Sequence, residues 1–410
     1  MEANHFIQNE LAILPYEGKI LTAVYENNRL AEFLVEEKEP ILGNVYVGKV
    51  ENIVRNINTA FVRFTDQWVG SYSLKENTTH FFLNAKKGSK LVQGDEILVQ
   101  VQREPIKTKP AMLTGKITLT GKNLVLTVHT GTAAVSSKIT SKEERARLKE
   151  IIQPYITDEY GFIVRTYAQG QPAENLQQEA NKLIKRFESI LKKSASATCF
   201  SKVYSGMSAY SRYIIGHPQL ERVTTEIPEI YEQLKELLQD FDLSVPLSLY
   251  HDEDWPLARL KGIKTQIERA LNPHVWLKSG GFLVIQPTEA MTVIDVNSGR
   301  YTGKKDSEEM YFKINMEAAE EIARQLRLRN LSGIIIIDFI DMKAADKRSA
   351  LMHELHRQLQ KDSIKTSLVD ITKLNLVELT RKKERKPLHE IFEKSCPTCN
   401  GTGRIPLQGA

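Results

Sequence analysis

The chain has 410 residues, of which 41% are hydrophobic and 26% charged, a balance that excludes wholesale disorder and predicts roughly two to four domains. Its 56 Lys and Arg against 51 Asp and Glu leave a net charge of +5, neither histone-like nor acidic. Three cysteines exclude a disulfide scaffold and suit a reducing compartment. The opening MEANHFIQNE lacks a basic region followed by an apolar stretch, so no signal peptide is expected. The longest aliphatic block, Ile334 to Ile337, is too short to cross a bilayer. A soluble, cytoplasmic chain without a membrane partner is the expectation.

In chain order, residues 19–25 and 30–35 read as strands flanking Asn27-Asn28, a hairpin signal. From Gly43 the strands shorten to NVYVGKVENIV, TAFVRF, WVGSYSL and DEILVQVQ, with Gly, Asn and Asp between them. Several short strands in about eighty residues suggest a small barrel of OB-fold type. Such a barrel can offer Phe61, Trp68 and Tyr72 for base stacking and Lys49, Arg63 and Lys109 for phosphates. The competing reading makes the aromatics core or rim residues. Residues 123–129 and 161–166 are strand-like, and helices are predicted over 141–152, 174–193 and 228–238. In the second, Leu183, Phe187 and Leu191 recur every four residues, and the third opens on Pro228, where a missing N–H does no harm.

From Gly281 the pattern becomes α/β. Residues 282–286 and 292–296 read as strands around a Pro287-Thr288-Glu289 turn, followed by a helix over 316–329 with early Glu and late Arg that complement the macrodipole. Ile334 to Ile337 reads as a strand buried on both faces, being aliphatic without alternation. A helix over 346–360 and a strand over 366–370 come next.

Two hydrophobic strands end in acid. Asp295 closes one and is followed by Asn297; Asp338 closes the other and is followed by Asp341. Ligands of α/β sheets sit beyond the carboxyl ends of strands, and carboxylates beside an amide oxygen make an all-oxygen site suited to Mg²⁺. The alternative is that both aspartates cap turns. Cys396-Pro397-Thr398-Cys399 places two thiolates on one turn, half of a structural zinc site. Two chains sharing one zinc, completion within one chain by a residue such as His389, and a redox pair are the alternatives. Cys199, alone beside Phe200, reads as a core thiol. The run Arg381 to Lys386 is either a solvated face or a guide for a polyanion.

The segments DVNSGR at 295–300, NMEAAEEIARQLRLR at 315–329, IDFIDM at 337–342 and CPTCNGTG at 396–403 resemble, in order, the bacterial ribonuclease E/G endoribonucleases. The resemblance runs from about residue 43 to 403. It implies an α/β multidomain fold in which an OB-fold RNA-binding domain (40–120) is inserted into an RNase H-like domain (1–39 and 207–272). A 5′ sensor region (121–206), a DNase I-like catalytic domain (273–394) and a zinc-link (395–404) follow. Carried over residue by residue, the family's metal carboxylates fall on Asp295 and Asp338 and the assisting amide on Asn297. The zinc thiolates fall on Cys396 and Cys399. The pocket for a 5′-monophosphate maps to Gly121, Val125, Arg165 and Thr166, with Lys365 where the family has a further arginine, so a planar fork becomes a point charge. RNA stacking and phosphate contact map to Phe61 and Lys109, while the second stacking aromatic falls on Ser71, with Tyr72 beside it.

The implied activity is Mg²⁺-dependent hydrolysis of single-stranded RNA to 3′-hydroxyl and 5′-monophosphate ends, in ribosomal RNA processing or mRNA decay. Implied too are a homodimer through shared Zn²⁺ and a short form without the C-terminal small domain or a tail for degradation-assembly partners. The rival expectations are a non-catalytic RNA-binding or ribosome-associated factor, and a DNase.

Overall fold

Glycines and alternating apolar residues explain why the short strands from Val45 onward close on themselves. In the strand Thr59–Arg63, Ala60 and Val62 point inward while Phe61 and Arg63 point out. The computed structural model describes residues 9–83, 90–105, 109–217, 219–299, 307–394, 396–399 and 403. Strand Val45–Val54 pairs with Thr59–Arg63, which pairs with Val69–Ser73. Val69–Ser73 runs parallel to Ala111–Thr114, which pairs with Glu96–Arg103, and that strand returns to Val45–Val54. The result is a closed, OB-like barrel of five strands. Four were legible; Ala111–Thr114 is an addition. At Gly70 a Cβ would lie 2.6 Å from Leu113, so the barrel wall needs a residue without one there.

The barrel corrects one expectation. Tyr72 pairs with Ala60 and points inward, is 0% exposed, and sets its hydroxyl 2.9 Å from His80 Nδ1. It is core and cannot stack a base. Phe61, one position along and opposite Ser71, lies half-buried on the outer surface.

Two compact units result: Met1–Val35, Leu220–Tyr231 and Pro246–Ala410 form one, Glu36–Gln219 and Glu232–Val245 the other. The second unit holds the barrel and a four-stranded sheet in the order Ala133–Val135, Tyr160–Val164, Leu124–Val128, Thr118–Thr120. Two helices flank that sheet. Lys142–Ile152 is capped by Ser141, whose Oγ accepts from Glu144 N, and Ala173–Ala195 buries Leu176, Ala180, Leu183, Phe187 and Ile190. Leu191, expected on that stripe, is only half-buried, and so is Cys199.

The first unit contains two sheets. One has the order Leu247–Leu249, Arg222–Thr225, Glu10–Tyr16, Lys19–Glu26, Arg29–Glu36. Its predicted hairpin turns at Asn27 and Asn28 with φ of 50° and 59°, the left-handed conformation of a tight two-residue turn. The other runs His274–Trp276, Phe282–Pro287, Met291–Asn297, Gly333–Asp338, Val377–Arg381, Thr366–Ile371. Helices Ser307–Leu328 and Ala345–Leu359 pack on one face of it, over Leu283, Ile285, Ile294, Ile335, Ile337 and Leu379. The isoleucine strand is therefore buried on one face only: Ile335 and Ile337 are 0% exposed, but Ile334 is 47% exposed. Helices cover a single face, so an unbroken aliphatic run does not report two-sided burial here.

The basic run is also not what its charge suggests. Arg381 is buried, and its guanidinium donates to Asp362 Oδ2 at 2.6 Å, to Asn330 Oδ1 at 2.8 Å and to the Leu331 carbonyl at 2.9 Å. Arg385 pairs with Glu32 and Lys382 with Glu384, leaving only part of the run for solvent. Arg381→Met is expected to destabilise the protein by about 3–5 kcal/mol, because Asp362 is left buried without its counter-charge. Lys382→Ala is expected to stay within about 0.5 kcal/mol. Urea unfolding followed by circular dichroism compares the two; coincident midpoints would show that the buried pair matters no more than the exposed one.

Candidate active site

The strand Met291–Asn297 sends Thr292, Ile294 and Val296 into the core and leaves Val293, Asp295 and Asn297 on the uncovered face. Its parallel neighbour Gly333–Asp338 likewise directs Ile335 and Ile337 inward and Ile336 and Asp338 outward. Asp295 and Asp338 are register partners. Their backbones are thus about 4.8 Å apart, with both carboxylates on one face. Parallel pairing requires a long crossover, which helix Ser307–Leu328 supplies. Asn297, two residues beyond Asp295, returns to the same face, and its Nδ2 donates to Asp295 Oδ2 at 2.7 Å. That bond leaves the amide oxygen of Asn297 as an acceptor.

Partial desolvation, then the negative charges of Asp295 and Asp341, hold the Asp338 carboxyl above its ordinary range. Among the described residues no Lys or Arg forms an ion pair with either carboxylate. No three His, Cys, Asp or Glu side chains among those residues converge into a ready-made cage. Two carboxylates and an amide oxygen fit Mg²⁺, which keeps several waters and binds through one or two carboxylates together with substrate phosphates.

Two polar residues set this site's backbone and were not legible as such. Asn315, fully buried in helix Ser307–Leu328, donates Nδ2–H to the Ile340 carbonyl at 2.7 Å. Its Oδ1 accepts from Ile340 N at 3.1 Å, so one side chain clasps both backbone groups of Ile340, two residues past Asp338. Glu317 accepts from the backbone N–H groups of Lys278 and, at 3.0 Å, Ser279. Both lie in the motif at 315–329, whose late arginines also do more than offset a helix dipole. Arg327 pairs with Glu26, and Arg329 donates to Gln325 and to the Asn272 carbonyl.

In the other unit, Arg165 reaches the Gly121 carbonyl with its guanidinium at 2.7 Å, and burial pulls it below the usual arginine range. Thr166 Oγ1 lies 3.2 Å from Ser136 Oγ, and Val125 pairs with Ile163 two strand positions from Arg165. Gly121 and Arg165 are therefore in direct contact, while the Thr166 hydroxyl is held by Ser136. A Cβ on Gly121 would lie 2.1 Å from Glu179 Oε1 and 2.9 Å from the Leu124 carbonyl oxygen, so a side chain there would displace both. Glu179, missed from sequence, accepts from Asn123 N at 2.9 Å and Leu124 N at 3.2 Å and shapes that loop. Lys365 is exposed and belongs to the unit of the aspartates. On the barrel, Lys109 is exposed just before the strand that flanks Ser71. Cys396 is exposed, and hydrogen bonds from the backbone of Cys399 and Thr398 lower its thiol below the ordinary range. No third His, Cys, Asp or Glu joins Cys396 and Cys399 among the described residues.

A model of the Ribonuclease E/G family matches residues 118–384. The chain is 37% identical to Ribonuclease G of Haemophilus influenzae over 423 residues, covering 99% of this chain and 84% of that protein. The chain belongs to the ribonuclease E/G family. Ribonuclease G of Escherichia coli strain K12 is 34% identical over 96% of the chain and 83% of its own length. Ribonuclease E of Nostoc sp. is 33% identical over 96% of the chain and 59% of its own length. The family match contains Asp295, Asn297, Asp338 and the Gly121–Arg165 contact; Phe61, Lys109 and the two thiols of the turn lie outside it.

Asn315→Ala is expected to leave the Ile340 N–H and C=O without partners, at about 1–3 kcal/mol for each buried group. Amide hydrogen exchange at Ile340 should accelerate by tenfold or more, about the factor that 1.4 kcal/mol represents. Unchanged exchange there would show that the clasp does not hold this peptide.

Proposed function

We propose that this ribonuclease E/G family member, an endoribonuclease, hydrolyses single-stranded RNA with Mg²⁺ held by Asp295 and Asp338. The observation that carries the reading is the register pairing of the two aspartates on the open face, beside Asn297. When bound there, Mg²⁺ supplies Lewis-acid polarisation of the scissile phosphate and a water of lowered pKa. Asp295 and Asp338 contribute the negative charge that retains the ion, Asn297 orients the Asp295 carboxylate, and Asn315 fixes the backbone of Ile340, two residues past Asp338. The expected products are 3′-hydroxyl and 5′-monophosphate ends, formed in ribosomal RNA processing or mRNA decay.

The remaining parts of the chain fit supporting roles in this reading. The OB-like barrel presents Phe61 and Lys109 to RNA as an RNA-binding domain, without the buried Tyr72. Gly121, Val125, Arg165 and Thr166 form the pocket of a 5′ sensor region. The sheet carrying the aspartates is the DNase I-like part, and the strands before and after the barrel belong to an RNase H-like part. Cys396 and Cys399 form a zinc-link, each chain of a homodimer giving two thiolates to one ion, since structural zinc takes four ligands.

Cleavage of a labelled single-stranded oligonucleotide tests the site. Asp295→Asn and Asp338→Asn are each expected to lower the rate by at least about 100-fold while RNA still binds, and EDTA should abolish cleavage. The same assay with 5′-monophosphate and 5′-triphosphate substrates should favour the monophosphate, and Thr166→Val should reduce that preference. Full activity of the double aspartate variant in Mg²⁺ would overturn the assignment. Elemental mass spectrometry is expected to find half a zinc per chain; one zinc per chain would place all its ligands in a single chain.

A further inference from the structure

The uncovered face of the aspartate sheet carries a second pattern. His274 pairs with Val284, Val284 with Asp295, and Asp295 with Asp338. In the next row Trp276 pairs with Phe282, and Phe282 with Asn297. Register partners share a face, so Trp276 and Phe282 stand on the same side as Asn297, Asp295 and Asp338. Trp276 lies two strand spacings, about 10 Å, from Asn297. Its ring centroid is 5.2 Å from that of Phe282, with the planes tilted by 52°.

Trp276 is 71% exposed, although its strand forms the edge of a sheet whose other face is well packed. Cross-strand packing accounts for the contact with Phe282. It does not account for an indole left so open to water, since a large exposed apolar surface is the informative exception on a folded chain. Trp276 borders two cavities: one carries Glu317, Glu320, Glu321 and Glu354 with Arg29, Lys278 and Lys313, and the other points to the occupant. In that second cavity, of about 460 Å³, Trp276 and His274 line the wall together with Arg29, Arg269 and Arg324. Glu321 pairs with Arg29 and Arg324, so the three arginines keep an excess of positive charge. A basic cavity at the sheet's edge, walled in part through Arg324 by the helix of the other face, thus adjoins an exposed aromatic pair and, on the open face, two carboxylates. A strand of alternating phosphates and bases matches that succession; an apolar peptide does not use the arginines.

We infer that Trp276, backed by Phe282, is a stacking platform for one base of the RNA strand, adjacent to or one removed from the scissile phosphate. The pocket bearing Arg29 and Arg269 takes the backbone phosphates beyond that base. This inference rests on the nuclease reading above and adds to it a subsite for substrate positioning. Stacking on a π-face accepts any base, so the platform gives grip and register rather than sequence choice.

Binding of a short labelled single-stranded RNA, followed by anisotropy in EDTA, tests the platform apart from cleavage. Trp276→Ala is expected to weaken binding by about 5- to 100-fold, and Trp276→Phe to restore most of it. An abasic nucleotide is then moved through the RNA one position at a time. One position should weaken binding to the wild type yet cost nothing further in Trp276→Ala. Equal affinity of wild type and Trp276→Ala, or no abasic position whose penalty vanishes in the variant, overturns the platform. In either case Mg²⁺-dependent cleavage by the wild type would leave the nuclease reading standing. A wild type that neither binds nor cuts RNA overturns both.

Discussion

The arrangement depends on one constraint: a six-stranded sheet packed by helices on a single face, with two parallel strands at its centre. Side-chain alternation then divides each strand into a core set and an open set. Parallel pairing in register puts the final acids of two strands next to each other. Two like charges at that spacing, without a Lys or Arg paired to them among the described residues, repel; partial desolvation first and this repulsion second raise the Asp338 carboxyl. A divalent cation relieves that repulsion. The pairing thus carries an electrostatic cost, which the proposed function turns to use by binding an ion.

The surrounding polar network keeps this geometry from relaxing. Asn315 ties a helix to the backbone two residues after one acid, and Glu317 ties the same helix to the backbone at Lys278 and Ser279. Arg381, buried with Asp362, Asn330 and Leu331, fixes the strand on the far side of Gly333–Asp338. Removing one partner of such a buried pair leaves the other charge uncompensated, so the pair holds only while both members keep their places. In the proposed metal-assisted hydrolysis, a low tolerance for a misplaced carboxylate gives that constraint a use.

Much of this was legible in the sequence, and the failures have physical causes. The barrel could be read because its strands are short and punctuated, and the Asn27-Asn28 turn because left-handed backbone favours asparagine. The strand-end acids stood out because they interrupt aliphatic runs. Tyr72 was misplaced by one position, since a period of two sends neighbours to opposite faces and Phe61 and Tyr72 belong to different sets. The isoleucine strand misled because hydrophobicity marks preference for burial, not which faces receive a helix. Arg381 misled for the opposite reason: its charge predicted solvent, while Asp362, 19 residues earlier, supplied the partner. Asn315, Glu317 and Glu179 were invisible as organisers because each acts on backbone atoms, which leave no pattern in side-chain type.

The one-sided sheet has a consequence for how such a chain can change. Along Met291–Asn297 and its neighbours, every second residue answers to the helices and the intervening ones to whatever lies on the open side. Substitutions at Phe282, Val284 or Val293 can therefore alter contacts on the open face while Leu283, Ile285 and Ile294 continue to hold the core. Two histories of selection can be interleaved in a single strand with little interference. A lineage can retune what it grips while inheriting its interior almost unaltered.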